Sequence, residues 1–109
     1  MSGAGAGATV IYAVDLEVDL DIATAYRAWL QAHMREILAL PGFTGAQLLA
    51  VREPAPPAGR IGLCVQYRLR DAAALDTYLR EHAPRLRADG IARFGERFRA
   101  SRRVLEVLD

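Results

Sequence analysis

Two histidines, four tyrosines and one tryptophan are the residues best suited to chemistry in this chain of 109 residues. His33 follows Trp29 by four residues and His82 follows Tyr78 by four, so each imidazole shares a helical face with an aromatic ring. Tyr12 and Tyr67 stand in alternating apolar segments, and Tyr26 lies one helical step before Trp29. Tyr12, Tyr26, Trp29, His33, Tyr67 and His82 are therefore candidates to line a small-ligand pocket, with Tyr78 beside them. A few polar groups converging in a mostly apolar space is the usual form of such a site. A phenol–imidazole pair can also take the proton of an acidic substrate phenol. The competing reading is a filled core in which each O–H and N–H meets a backbone carbonyl.

Other chemistries find less support. From Arg80 onward eight arginines face five acids, a local surplus of +3. Arg85, Arg93 and Arg103 are candidate anion-binding residues within a run that also holds Arg87, Arg97, Arg99 and Arg102. Guanidinium forks suit carboxylates and phosphates; the alternative is a solvated arginine-rich face in a chain that has no lysine. The two histidines have no third ligand at metal-binding spacing, so no metal is expected. Ser2 and Ser101 lie in no nucleophile motif. The lone Cys64 excludes an internal disulfide and every cysteine-based zinc motif, and reads as a small buried or interface residue. Without lysine or asparagine, P-loop, Schiff-base and N-glycosylation chemistry are absent, and no cofactor is called for. A net charge of +1, with no basic stripe interleaved with aromatics, argues against nucleic acid and against an anionic membrane surface.

These residues need elements to position them. Thr9–Val18 alternates as a strand, with Val10, Tyr12, Val14, Leu16 and Val18 on one face. Asp19 or Asp21 can cap the helix that follows, which runs to about Leu40 with Ile22, Tyr26, Trp29, Leu30, His33 and Ile37 as one stripe. Pro41-Gly42 ends it. Phe43–Arg52 reads as a second strand with a possible bulge at Gly45, and the proline-rich stretch from Glu53 to Gly59 as a stiff hairpin loop. Ile61–Arg70 is a third strand, Asp71 the cap of a second helix, and Leu75, Tyr78, Leu79 and His82 its apolar stripe. Pro84 interrupts that helix and opens a short segment that should stop at Gly90 in the left-handed conformation. Arg97–Leu108 closes the chain as a fourth strand.

The order β-α-β-β-α-β has one common solution, the ferredoxin-like α+β fold: a four-stranded antiparallel sheet with the helices on one face. The opposite sheet face starts apolar, at Ile11, Ala13, Gly62 and Cys64, and ends charged, at Asp15, Glu17, Arg68 and Arg70. A rimmed apolar surface of that kind marks an interaction site. At 11.9 kDa, with 52% hydrophobic and 25% charged residues, the chain is one globular domain spanning residues 9–109, preceded by a flexible Gly/Ala leader at residues 1–8. It shows neither a targeting signal nor a membrane-spanning segment, so a cytoplasmic protein is the default.

Three stretches together resemble a known family. They are Trp29-Leu-Gln-Ala-His33-Met-Arg-Glu-Ile37 closed by Leu40-Pro-Gly-Phe43, then Val65-Gln-Tyr67, then Tyr78 to Gly90 running into Arg93-Phe94-Gly95-Glu-Arg-Phe98 and Arg103-Val-Leu-Glu106. They are similar to the small bacterial DUF4286 family, a domain of unknown function, over residues 10–108. The resemblance implies a dimeric α/β barrel: ferredoxin-like subunits packing sheet face to sheet face as a homodimer, with the helices outside. Some members of that wider superfamily are cofactor-independent monooxygenases and some degrade haem. The haem-degrading ones use an Asn, and none exists here. The expected function is that of a small dimeric protein binding a small organic molecule or serving an accessory role. The first alternative is a monooxygenase-like enzyme on an aromatic compound, drawing on Tyr67, His33 and Trp29 with His82 and an Arg assisting; the second is a structural or regulatory interaction protein.

Overall fold

The computed structural model describes residues 7–109. Most of the expected leader falls at residues 1–6, outside the described residues. The elements are β1 (Val10–Asp19), α1 (Ala23–Leu38), β2 (Phe43–Ala50), β3 (Arg60–Leu69), α2 (Ala72–Glu81), α3 (Ala83–Phe94) and β4 (Phe98–Glu106). Single 3-10 turns at Leu20–Ile22 and Gly95–Arg97 precede α1 and β4. The sheet is antiparallel throughout in the order β2-β3-β1-β4, so β3 is threaded between β1 and β2 as the ferredoxin-like fold requires. Period-2 alternation places Tyr12, Val14, Leu16, Val65 and Tyr67 under the helices, and Ala13, Asp15, Cys64 and Gln66 on the open face.

The local devices are read easily at several points. Asp71 caps α2, its carboxylate accepting the Ala74 N–H at 2.9 Å. The β2–β3 register shifts between Phe43 and Gly45, a bulge where glycine allows one. Gly42 turns with φ +90°, and a Cβ there would stand 2.5 Å from the Ala74 Cβ; its carbonyl accepts the Arg70 N–H at 2.8 Å. Only glycine joins the α1–β2 turn to the β3–α2 corner so closely.

Three expectations are corrected. Neither Asp19 nor Asp21 caps a helix. Asp19 instead receives Arg60 at 3.2 Å and Arg97 at 3.0 Å, and Asp21 receives Arg97. Charged partners from β3 and the β4 approach outcompete the local N–H groups. The second correction concerns the segment after Pro84. It is a full helix of 12 residues, giving the order β-α-β-β-α-α-β. Gly90 lies inside it and the terminating glycine is Gly95, at φ +56°. The third is His82, which sits in the bend between α2 and α3 rather than on the wall of the interlayer space. Its N–H bonds the Tyr78 carbonyl at 2.9 Å and its carbonyl receives the Leu86 N–H at 3.2 Å. Among the described residues no helix is long and apolar enough to cross a membrane.

Candidate functional site

Between the sheet and the helices lies a cavity of about 560 Å³. Its floor is Tyr12, Val14 and Leu16 of β1 with Val65 and Tyr67 of β3. Tyr26, Trp29, Leu30, His33 and Ile37 of α1 form one wall, spaced at three and four residues as a single helical stripe. Leu86, Arg87, Gly90 and Ile91 of α3 form the facing wall, and Phe98, Ala100 and Arg102 of β4 close the edge. Five of the six pocket candidates, Tyr12, Tyr26, Trp29, His33 and Tyr67, thus meet around one space, with Tyr78 beside them. His82 is the exception.

The walls are built from aromatic packing. Tyr26 sits 5.5 Å from Trp29, 5.0 Å from Phe94 and 5.1 Å from Phe98, centroid to centroid. Tyr12 stacks on Tyr67 at 6.2 Å and meets Tyr78 edge-on at 5.9 Å. Trp29 is wedged by α3: a Cβ at Gly90 would lie 3.0 Å from its Cη2, and its indole N–H donates to Asp89 at 3.2 Å. His33 stacks on that fixed indole at 4.5 Å and 22°. Gly90 is therefore a place where Trp29 needs room, which outweighs glycine's tendency to end a helix.

The electrostatics follow from burial. His33 Nδ1 is the one buried side-chain nitrogen or oxygen among the described residues without a hydrogen-bond partner. Burial holds its pKa below the ordinary value, against the charges of Glu36 and Asp89. A proton on Nδ1 would have no acceptor, so the ring is neutral near pH 7. Burial pushes the Tyr26 and Tyr67 phenols above the ordinary tyrosine range, and Tyr78 to about 12. Arg102 opposes the rise at Tyr26, and Arg87 and Arg102 oppose it at Tyr78. The phenols are thus neutral groups at ordinary pH. Arg87 donates from Nη2 to the Tyr12 hydroxyl oxygen at 2.8 Å, which leaves the Tyr12 proton free for another acceptor.

The three anion-binding candidates do not come together. Arg85 pairs with Glu36 at 3.1 Å across α3 and α1, and Arg93 is exposed further along α3. Arg103 pairs with Asp15 at 3.6 Å on the opposite sheet face. The cationic side chains on the cavity are Arg87, Arg99 and Arg102, with Glu96 the acid among them. Two signals in the chain pointed there. Arg102 shares β4 parity with Phe98 and Ala100, and Arg87 follows Leu86 on the stripe that continues at Gly90 and Ile91 once α3 is one helix. Among the described residues no three His, Cys, Asp or Glu side chains gather to hold a metal ion.

Cys64 lies on the open sheet face, opposite Asp15 and Leu49. Burial raises its thiol to about 11, with Asp15 adding to the rise, which disfavours the thiolate at neutral pH. A second concavity, of about 910 Å³, lies on this face between residues 51–56 and Arg99, Ser101 and Arg103 of β4.

Comparison with solved structures finds the same fold at low identity. A dimeric ferredoxin-like protein of unknown function from Jannaschia is 23% identical with a TM-score of 0.60, covering 91% of this chain and 99% of that one. A dimeric ferredoxin-like protein from an uncultured marine organism is 10% identical at 0.60, covering 94% and 97%. An ethyl tert-butyl ether d family protein from Bacillus halodurans is 12% identical at 0.64, covering 91% and 99%. No curated protein matches the chain. The family model described as Domain of unknown function (DUF4286) matches residues 9–108, and the chain belongs to that family, with a ferredoxin-like fold.

Proposed function

We propose that this protein binds a small organic molecule between its sheet and its helices, as a homodimer joined through the open sheet faces. The observation that carries the reading is the cavity of about 560 Å³ walled by Tyr12, Tyr26, Trp29, His33, Tyr67 and Tyr78. That volume suits a ligand of drug-like size, and aromatic walls with a few polar groups are what such ligands meet. A filled layer would have favoured a purely structural protein. The dimeric solved neighbours and the apolar start of the open face support the assembly. An enzyme acting on an aromatic compound would draw on the same Tyr67, His33 and Trp29. Binding asks less of them, since the Tyr67 phenol is held protonated and serves as a donor.

Trp29 is the only tryptophan of the chain and lies on the cavity wall, so its emission reports on this site alone. Titration with the neutral probe N-phenyl-1-naphthylamine should quench Trp29 by energy transfer, saturably, with one site per protomer. Ala100→Phe, which fills the cavity from its β4 edge, should abolish the signal and leave the circular dichroism spectrum unchanged. A signal that never saturates, or one that Ala100→Phe leaves intact, overturns the reading.

A further inference from the structure

Six of the fourteen arginines, Arg60, Arg70, Arg80, Arg85, Arg97 and Arg103, lie within 4 Å of a carboxylate among the described residues. Arg87, Arg99 and Arg102, the three on the cavity, are not among them. Arg87 is held in place by the Tyr12 hydroxyl, a neutral acceptor that leaves its charge unmatched. Arg102 stands opposite Val14 in the β1–β4 register, two residues along β1 from the Tyr12 whose hydroxyl Arg87 meets, so both arginines reach the cavity at the same stretch of β1. Glu96 is the one carboxylate in the wall, while Asp89 is taken up by the Trp29 indole. With His33 neutral, Arg87 and Arg102 outweigh Glu96 in the lining, and Arg99, on the β4 parity of the open face, adds to the surplus only at the rim.

We infer that the ligand is an aromatic acid: a flat apolar body on the tyrosine and tryptophan walls, with its carboxylate held between Arg87 and Arg102. This rests on the cavity being a binding site. Paired N–H donors of a guanidinium match a carboxylate bidentately, which gives the pair direction as well as charge. The free Tyr12 proton supplies one further donor to the same anion. A neutral body of the same shape would keep the aromatic contacts and leave both guanidinium groups without the partner they are placed to meet.

Calorimetric titration with 2-naphthoate and with 2-naphthalenemethanol, one anionic and one neutral at pH 7, separates charge from shape. Naphthoate should bind at least tenfold more tightly, and the margin should shrink with added salt. Arg102→Gln and Arg87→Gln should each reduce the preference to about threefold or less. Arg103→Gln, on the far sheet face, should leave it unchanged. Equal affinity for the two compounds overturns the aromatic-acid assignment while the cavity stands as a neutral site. Rejection of both compounds by a protein that still takes up N-phenyl-1-naphthylamine also overturns it. Rejection of all three overturns the binding reading with it.

Discussion

His33 makes the most specific claim at the scale of single residues. Its Nδ1 is buried without a partner, and its pKa is held below the ordinary 6.5. The unfolded chain therefore binds this proton more readily than the folded one. Between the two pKa values the unfolded state carries more protons, so stability rises with pH there and is lost as pH falls below about 6.5. Urea unfolding should show wild-type protein losing stability between pH 7.5 and pH 5. His33→Leu should remove that part of the loss and be neutral or mildly stabilising at pH 7.5, because it deletes an unpaired polar atom. An unchanged acid slope in the variant would show that His33 is not the group titrating. His82 provides the contrast: it shapes the bend before Pro84 and lies off the cavity, so its replacement should leave probe binding unchanged.

Among elements, α2 and α3 show how local chemistry and packing divide the task. The Asp71 carboxylate accepts one of the orphan N–H groups of α2, a contribution of about 1 kcal/mol. Asp71→Ala should lower unfolding stability by about that amount in urea titration. Because Asp71 lies off the cavity, probe affinity should not change. A loss of affinity as large as the loss of stability would mean that the α2 terminus helps shape the site. In α3 the governing contact is tertiary. Gly90 gives up helix propensity so that Trp29 can lie against α3, where Phe98 also approaches, and Asp89 then fixes the indole by its N–H.

For the whole molecule the question is what covers the open sheet face. Arg68 and Leu105 flank Ile11 in one row of that face, and Ala13, Gln66, Gln47 and Arg103 make the next. The neighbouring acids are already met within the chain, Asp15 by Arg103 at 3.6 Å and Glu17 by Arg60 at 3.2 Å. A second copy would therefore meet both carboxylates already paired, with Arg68 the cation of that row that has no carboxylate within 4 Å. Sedimentation at micromolar concentration should give about twice 11.9 kDa. Ala13→Arg, which puts an unpartnered charge in that contact, should weaken association by about 3 kcal/mol or more, over a hundredfold. A wild-type protein that sediments as a stable monomer would remove the homodimer from the proposed function and leave the cavity claim standing.

The order of strands and helices was legible in the chain because it rests on short-range periodicity. Val10 to Val18 alternates, Tyr26 to Ile37 repeats at helical steps, and Pro41-Gly42 and Asp71 mark ends by their own backbone chemistry. That much also placed five aromatic and imidazole side chains in one interlayer space. What sequence alone could not decide were outcomes of competition between distant groups. Gly90 reads locally as a helix stop, and only the approach of Trp29 shows it to be a helix interior. Asp19 and Asp21 read as caps until Arg60 and Arg97 arrive from far along the chain. Which arginines reach the cavity depends on the phase of an uninterrupted α3 and the parity of β4, so Arg87 and Arg102 replace Arg85, Arg93 and Arg103. The space itself is tertiary: it exists because Trp29 and His33 on α1, and Gly90 on α3, meet above β1 without filling the gap, and no local pattern records a volume.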